Sequence, residues 1–174
     1  MTHGFSCKFV LLAGLALLAL GAVSASTYAK PGQPGEVVVQ SVRGNFNQVW
    51  EELVDTLNGR GLVVSSTSYI KRMLERTDEA FEDPKKLFVD ARVLAFCSAT
   101  LAREMFDLDR HNMVFCPFKI AVYVIPTEAD RVFLSYRRLG DGRGTTARTV
   151  VLDRVDQLIE ELISATIKTY ELFH

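Results

Sequence analysis

From Glu36 onward, apolar residues recur at two spacings, every second residue or every third and fourth, and the switches between them divide the chain into elements. Val37, Val38, Val39 and Val42 form a β-branched run that reads as a strand. Phe46, Val49, Trp50, Leu53, Val54 and Leu57 then repeat at helical spacing, with Glu51, Glu52 and Asp55 on the opposite face. Asn45 followed by Gln48 is a capping-box-like start, and Asn58-Gly59-Arg60-Gly61 is a stop. Leu62, Val63 and Val64 open a second strand, and Ile70, Met73, Leu74 and Thr77 predict a short helix ending before Asp83-Pro84. Phe88 to Phe96 is a third strand. Ser98 is positioned to cap the next helix, whose inner stripe is Leu101, Ala102, Met105 and Phe106.

After a loop from Asp109 to Pro117, strict alternation through Phe118, Ile120, Val122 and Val124 turns at Pro126 to Asp130 and returns through Val132, Leu134 and Tyr136. This is the pattern of a β-hairpin. A last helix opens at Asp153 and carries Val155, Leu158, Ile159, Leu162, Ile163, Ile167 and Tyr170 on one stripe. The order is therefore β-α-β-α-β-α-β-β-α. An antiparallel hairpin near the end excludes a purely parallel doubly wound sheet, so the expected fold is an α+β two-layer sandwich: a mixed sheet of about five strands with helices mainly on one face.

Ahead of this domain the chain reads as an export signal. Met1 to Ala29 has a short basic start with Lys8, an uncharged apolar run from Phe9 to Val23, and small residues after it. The run is shorter than the roughly 20 residues that span a bilayer, so cleavage is expected over anchoring, after Ala25 or Ala29. No Cys stands at the cleavage point for lipid attachment. Lys30 to Gly35 is a Pro/Gly leader, and residues 36–174 form one domain. The expected location is the periplasm or the exterior, with no stable membrane anchor after cleavage.

Three strings, Gly61-Leu62-Val63-Val64, Phe96-Cys97-Ser98-Ala99 and Cys116-Pro117-Phe118-Lys119-Ile120-Ala121-Val122-Tyr123, resemble the bacterial domain-of-unknown-function family numbered 302. The resemblance spans most of Glu36 to Ile167. It implies a small α+β domain, often dimeric, and carries no catalytic residues with it. The family often has Asn after its first Cys and Leu-Pro-Cys before the hairpin strand. Here Ser98 follows Cys97, Phe118 occupies the usual second-Cys position, and Cys116 lies on the other side of Pro117. Asp109-Arg110 stands where the family tends to have Asp-Pro.

Composition adds chemistry only at two places. With 48% hydrophobic and 24% charged residues the chain is ordinary globular material. Its net charge of −1, falling to about −2 when Lys8 leaves with the signal, argues against nucleic acid as a partner. The first place is Cys97 and Cys116, the two cysteines of the mature chain. Cys97, at a strand end and helix start, could be simple packing, could pair with Cys116 in a compartment that permits disulfides, or could be a reactive thiolate. If the flanking strands ran parallel with a tight crossover, the two would sit at opposite ends. Met105, His111 and Met113 extend the thiol reading to a soft-metal site for copper.

The second place is the run Arg131, Arg137, Arg138, Arg143 and Arg148, interleaved with Gly140, Gly142 and Gly144. Arg137, Arg138 and Arg143 are candidate anion ligands beside a glycine-lined backbone concavity. No nucleophile elbow exists, and His111 and His174 are the only histidines of the mature chain, so catalysis has no support and no cofactor is called for. The acid pairs Asp107 with Asp109 and Asp153 with Asp156 read as a loop and a helix cap. The expected function is a non-catalytic module that binds a small ligand or protein partner, with thiol redox or soft-metal binding as the alternative. Surplus apolar surface on the last helix would suit a homodimer.

Overall fold

The computed structural model describes residues 33–174; the expected export signal and residues 30–32 of the expected leader lie outside the described residues. Strands β1 (Val37–Arg43), β2 (Val64–Tyr69), β3 (Asp90–Phe96), β4 (Phe118–Val124) and β5 (Arg131–Arg137) form one sheet in the order β1-β5-β4-β3-β2. Helices α1 (Phe46–Gly59), α2 (Ile70–Glu75), α3 (Ala99–Leu108) and α4 (Ala147–Phe173) complete the α+β fold in the expected order. The pairing itself is a correction, because all four strand pairs are antiparallel and the sheet is not mixed. β1 and β2 do run in the same direction, but α1 carries the chain to the far edge and the remaining strands fill the gap between them. Every later connection returns to the sheet end it left.

Alternation sorts the sheet residues by face. Phe118, Ile120, Val122 and Val124 of β4 and Val132, Leu134 and Tyr136 of β5 are buried under α1, α3 and α4. Lys119, Ala121, Tyr123, Phe133 and Arg137 occupy the opposite face, where Tyr123 and Phe133 stack at 5.4 Å between ring centroids. Val49, Leu53 and Leu57 of α1 and Val155, Ile159, Leu162 and Ile163 of α4 complete the core. The apolar stripe of α4 thus packs into the core, while Val150, Leu172 and Phe173 near its ends are exposed.

The ends of α1 follow local rules with one non-local addition. Asn45 Oδ1 accepts from the backbone N–H groups of Asn47 and Gln48. Gln48 does not reach back to the Asn45 N–H, as a capping box requires. Tyr170 of α4 takes that role: its hydroxyl accepts from the Asn45 N–H at 3.0 Å and donates to Gln48 Oε1 at 3.3 Å. At the other end, Gly61 at φ 72° allows Gly61 N–H to reach the Asn58 carbonyl and Leu62 N–H to reach the Leu57 carbonyl, a Schellman closure. Leu62 is buried by this closure and Val63 is exposed, so β2 begins at Val64 rather than Leu62. Its polar run VSSTSY carries little hydrophobic signal because it is an edge strand.

Helix α4 begins six residues before the expected Asp153. Thr146 and Thr149 form a reciprocal capping box, with a Thr where the usual signature has Glu or Gln. Asp153 and Asp156 are therefore inside the helix and do not cap it. Tyr170→Phe, which orphans the Asn45 N–H without changing the packed ring, is expected to cost about 1–2 kcal/mol in urea unfolding. A loss indistinguishable from zero would mean that water replaces the hydroxyl.

Candidate functional site

β3 ends at Phe96, which pairs with Phe118 at the start of β4. Because that pair is antiparallel, the excursion through α3 starts and finishes at one end of the sheet. Ser98 launches the helix by accepting from the Leu101 N–H. After Leu108 the chain folds back through a 3₁₀ turn, Arg110–Phe115. Asp109 caps the turn by accepting from the His111 N–H, and the buried Asn112 amide donates to the Met105 carbonyl at 2.9 Å. These bonds return Cys116 to Cys97 at disulfide distance, with 6.3 Å between Cα atoms across 19 positions of sequence.

The other soft donors are not gathered there. Met105 is 1% exposed in the core, while Met113 is 65% exposed on the turn. His111 sits on the same exposed turn. Among the described residues no group of three or more His, Cys, Asp or Glu could hold a metal ion.

The three candidate arginines diverge because neighbours on a strand point to opposite faces. Arg137 is exposed on the helix-free face. Arg138 turns toward α4, where it meets Glu160 at 3.2 Å and Glu36 at 3.8 Å. Glu160 also accepts from the Tyr136 hydroxyl at 2.7 Å; burial, with the Glu160 carboxylate beside it, pushes that phenol far up, so it remains a donor. Arg143 stands exposed on the loop beyond. The other two arginines of the run are tied down separately, Arg131 to Glu128 and Arg148 to Asp109.

The glycine-lined concavity does exist, and the chain's own acids fill it. Asp156 accepts from the Leu139 N–H at 2.9 and 3.0 Å and from the Gly140 N–H at 2.8 Å. Asp153 accepts from the N–H groups of Gly142 at 2.8 Å and Gly144 at 3.1 Å. Gly140 has no room for a Cβ against Asp153, and Gly142 and Gly144 take positive φ, so the glycines serve this internal clasp. Spacing alone showed the concavity. What it missed was the start of α4, and with it the acids that fill the concavity.

A cleft of about 370 Å³ opens at the same end of the sheet, lined by Val114, Phe115, Leu139, Ile159 and two cations, Lys119 and Arg137. Lys119 was not singled out from sequence. The signal was partial: a hairpin turning at Pro126–Asp130 sets Lys119 and Arg137 at equal distances from its centre, two residues beyond the last paired positions, Ala121 and Ser135.

Residues 37–166 match the model of the family described as "Domain of unknown function DUF302". The chain belongs to the DUF302 family. A crystal structure of an uncharacterized conserved DUF302 protein from Bacillus stearothermophilus superposes with a TM-score of 0.62 at 14% identity, covering 75% of this chain and 97% of that one. At that identity the likeness carries the DUF302 fold alone. No curated protein is significantly similar in sequence.

The clasp has a titration signature. Burial pushes the Asp156 carboxyl up to about 6, against the Leu139 and Gly140 N–H groups and Arg138, which favour its charge. A carboxyl raised in the folded state binds its proton earlier than in the unfolded chain, so this group adds stability as pH falls and loses it as pH rises through about 6. Relative to Asp156→Asn, the wild-type protein should therefore gain stability in urea titrations as pH falls from about 7 to about 4. A difference that is flat over this window, or of opposite sign, rejects the assignment.

Proposed function

We propose that the mature chain is an exported, non-catalytic module that binds a small ligand or a protein partner, with Cys97 and Cys116 as a structural disulfide. The observation carrying this reading is the placement of the two cysteines at disulfide distance at the mouth of the α3 excursion. A bridge there would close the excursion where it leaves and re-enters the sheet, which suits a compartment where disulfides persist. The alternative, thiol redox or copper chemistry at Cys97, draws on its place between a strand end and a helix start. It lacks the gathered methionines and histidine that would support it, since Met105 lies in the core.

Intact mass of protein recovered from the periplasm separates the two readings. The structural reading expects a chain beginning after Ala25 or Ala29, lighter than its reduced form by two hydrogens and inert to thiol reagents. One reactive thiol, or copper that copurifies, would overturn it in favour of the alternative. Cys97→Ser with Cys116→Ser is expected to lower stability by about 3 kcal/mol, the loop-closure contribution for a bridge of this span, without loss of the folded circular dichroism signature.

A further inference from the structure

Lys119 and Arg137 form a cation pair that the rest of the fold leaves unanswered. The β4–β5 register ends at Ala121–Ser135; two residues beyond it on each strand, Lys119 and Arg137 are both exposed and both line one cleft. Their cross-strand partners are Ala95 on one side and Val37 on the other, neither of which offers a charge. Arg131 and Arg138, the other cations of the hairpin and its exit, each have an acid partner; among the described residues Lys119 and Arg137 have none. Two like charges lining one small cleft repel. An anion between them would turn that repulsion into two charge-assisted hydrogen bonds.

Both cations line the cleft together with Val114, Phe115 and Leu139. Val114 is 80% exposed, an apolar side chain held out on the 3₁₀ turn with no core to serve. The cleft volume of about 370 Å³ lies within the range of small-molecule sites, and the mixture of apolar lining with a few convergent polar groups is typical of them. We propose that this cleft binds a small organic anion with an apolar body, its carboxylate, sulfonate or phosphate head between Lys119 and Arg137 and its body against Val114, Phe115 and Leu139. This rests on the reading that the domain binds rather than catalyses, and gives it a site and a ligand class. Arg138 and Arg143, sequence candidates for the same role, are outside the site.

Naphthalenesulfonate is a probe of fitting charge and bulk, with neutral naphthalenemethanol and inorganic phosphate as its two controls. In isothermal titration of the mature protein, naphthalenesulfonate is expected to bind, and each control to bind at least about tenfold more weakly. Lys119→Gln with Arg137→Gln, both exposed positions, should weaken the probe by at least about tenfold, as should Val114→Asp. Arg143→Ala should leave it unchanged. No binding by the wild-type protein, an equal affinity for naphthalenemethanol, or a double variant that binds as wild type would overturn the inference. Phosphate binding as tightly as the probe would also overturn it, by removing the apolar body. Failure here leaves the disulfide untouched, whereas a reactive thiol in the mass experiment would overturn the structural reading and leave the cleft standing.

Discussion

The packing of α4 across the sheet is the contact on which the rest of the fold depends. Val151, Leu152, Val155, Ile159, Leu162, Ile163 and Tyr170 of this one helix are buried against α1, α3 and the strands. At roughly 25 cal/mol per Å² of apolar surface removed from water, such a stripe outweighs any single polar contact in the domain. The same helix then fixes three remote segments through polar groups set beside the stripe. Asp153 and Asp156 hold the loop after β5, Glu160 holds Tyr136 and Arg138, and Tyr170 completes the cap of α1. The bonds to Gly140, Tyr136 and Asn45 satisfy groups that are buried or part-buried and would otherwise be left unpaired.

The antiparallel pairing of β3 with β4 has a comparable influence on the chemistry. Had the two strands been parallel, the α3 connection would have crossed the sheet and left Cys97 and Cys116 a strand length apart, a separation no disulfide tolerates. Antiparallel pairing brings both cysteines, the exposed 3₁₀ turn and the Lys119–Arg137 pair to one end. The turn carries Val114 and Phe115 into the cleft and leads directly into Cys116. A bridge from Cys116 to Cys97 would therefore anchor a wall of the cleft, and the two features share a structural cause.

What could be read from residues alone follows the reach of the forces involved. Period and caps are local, so α1, α3 and the hairpin were legible to within a residue or two, as was Ser98 as a cap. The DUF302 assignment was legible for the same reason, through three short strings that the family match over residues 37–166 bears out. β2 was read too early because its Ser- and Thr-rich edge sequence has little hydrophobic pattern, and α4 too late because Thr149 stands in for the usual acid of a capping box. Strand partners are chosen by the whole sheet, which is why a mixed arrangement was expected where an antiparallel one exists. Arg137 and Arg138 are not gathered into one place, because neighbours along a strand point to opposite faces.

That divergence bears on where an anion can go. A backbone concavity is a good anion site only while its N–H groups are free, and here Asp153 and Asp156 occupy them from within the chain. An external anion would have to displace carboxylates tethered at high effective concentration by α4 itself, a competition that favours the internal partner. Glu160 and Glu36 neutralise Arg138 by the same logic. Among the described cations of the hairpin and its exit, the two left without an acid partner are Lys119 and Arg137. The acids of α4 thus close the loop that the glycines advertise, and leave the anion-binding capacity of this end of the sheet to two side chains on the opposite face.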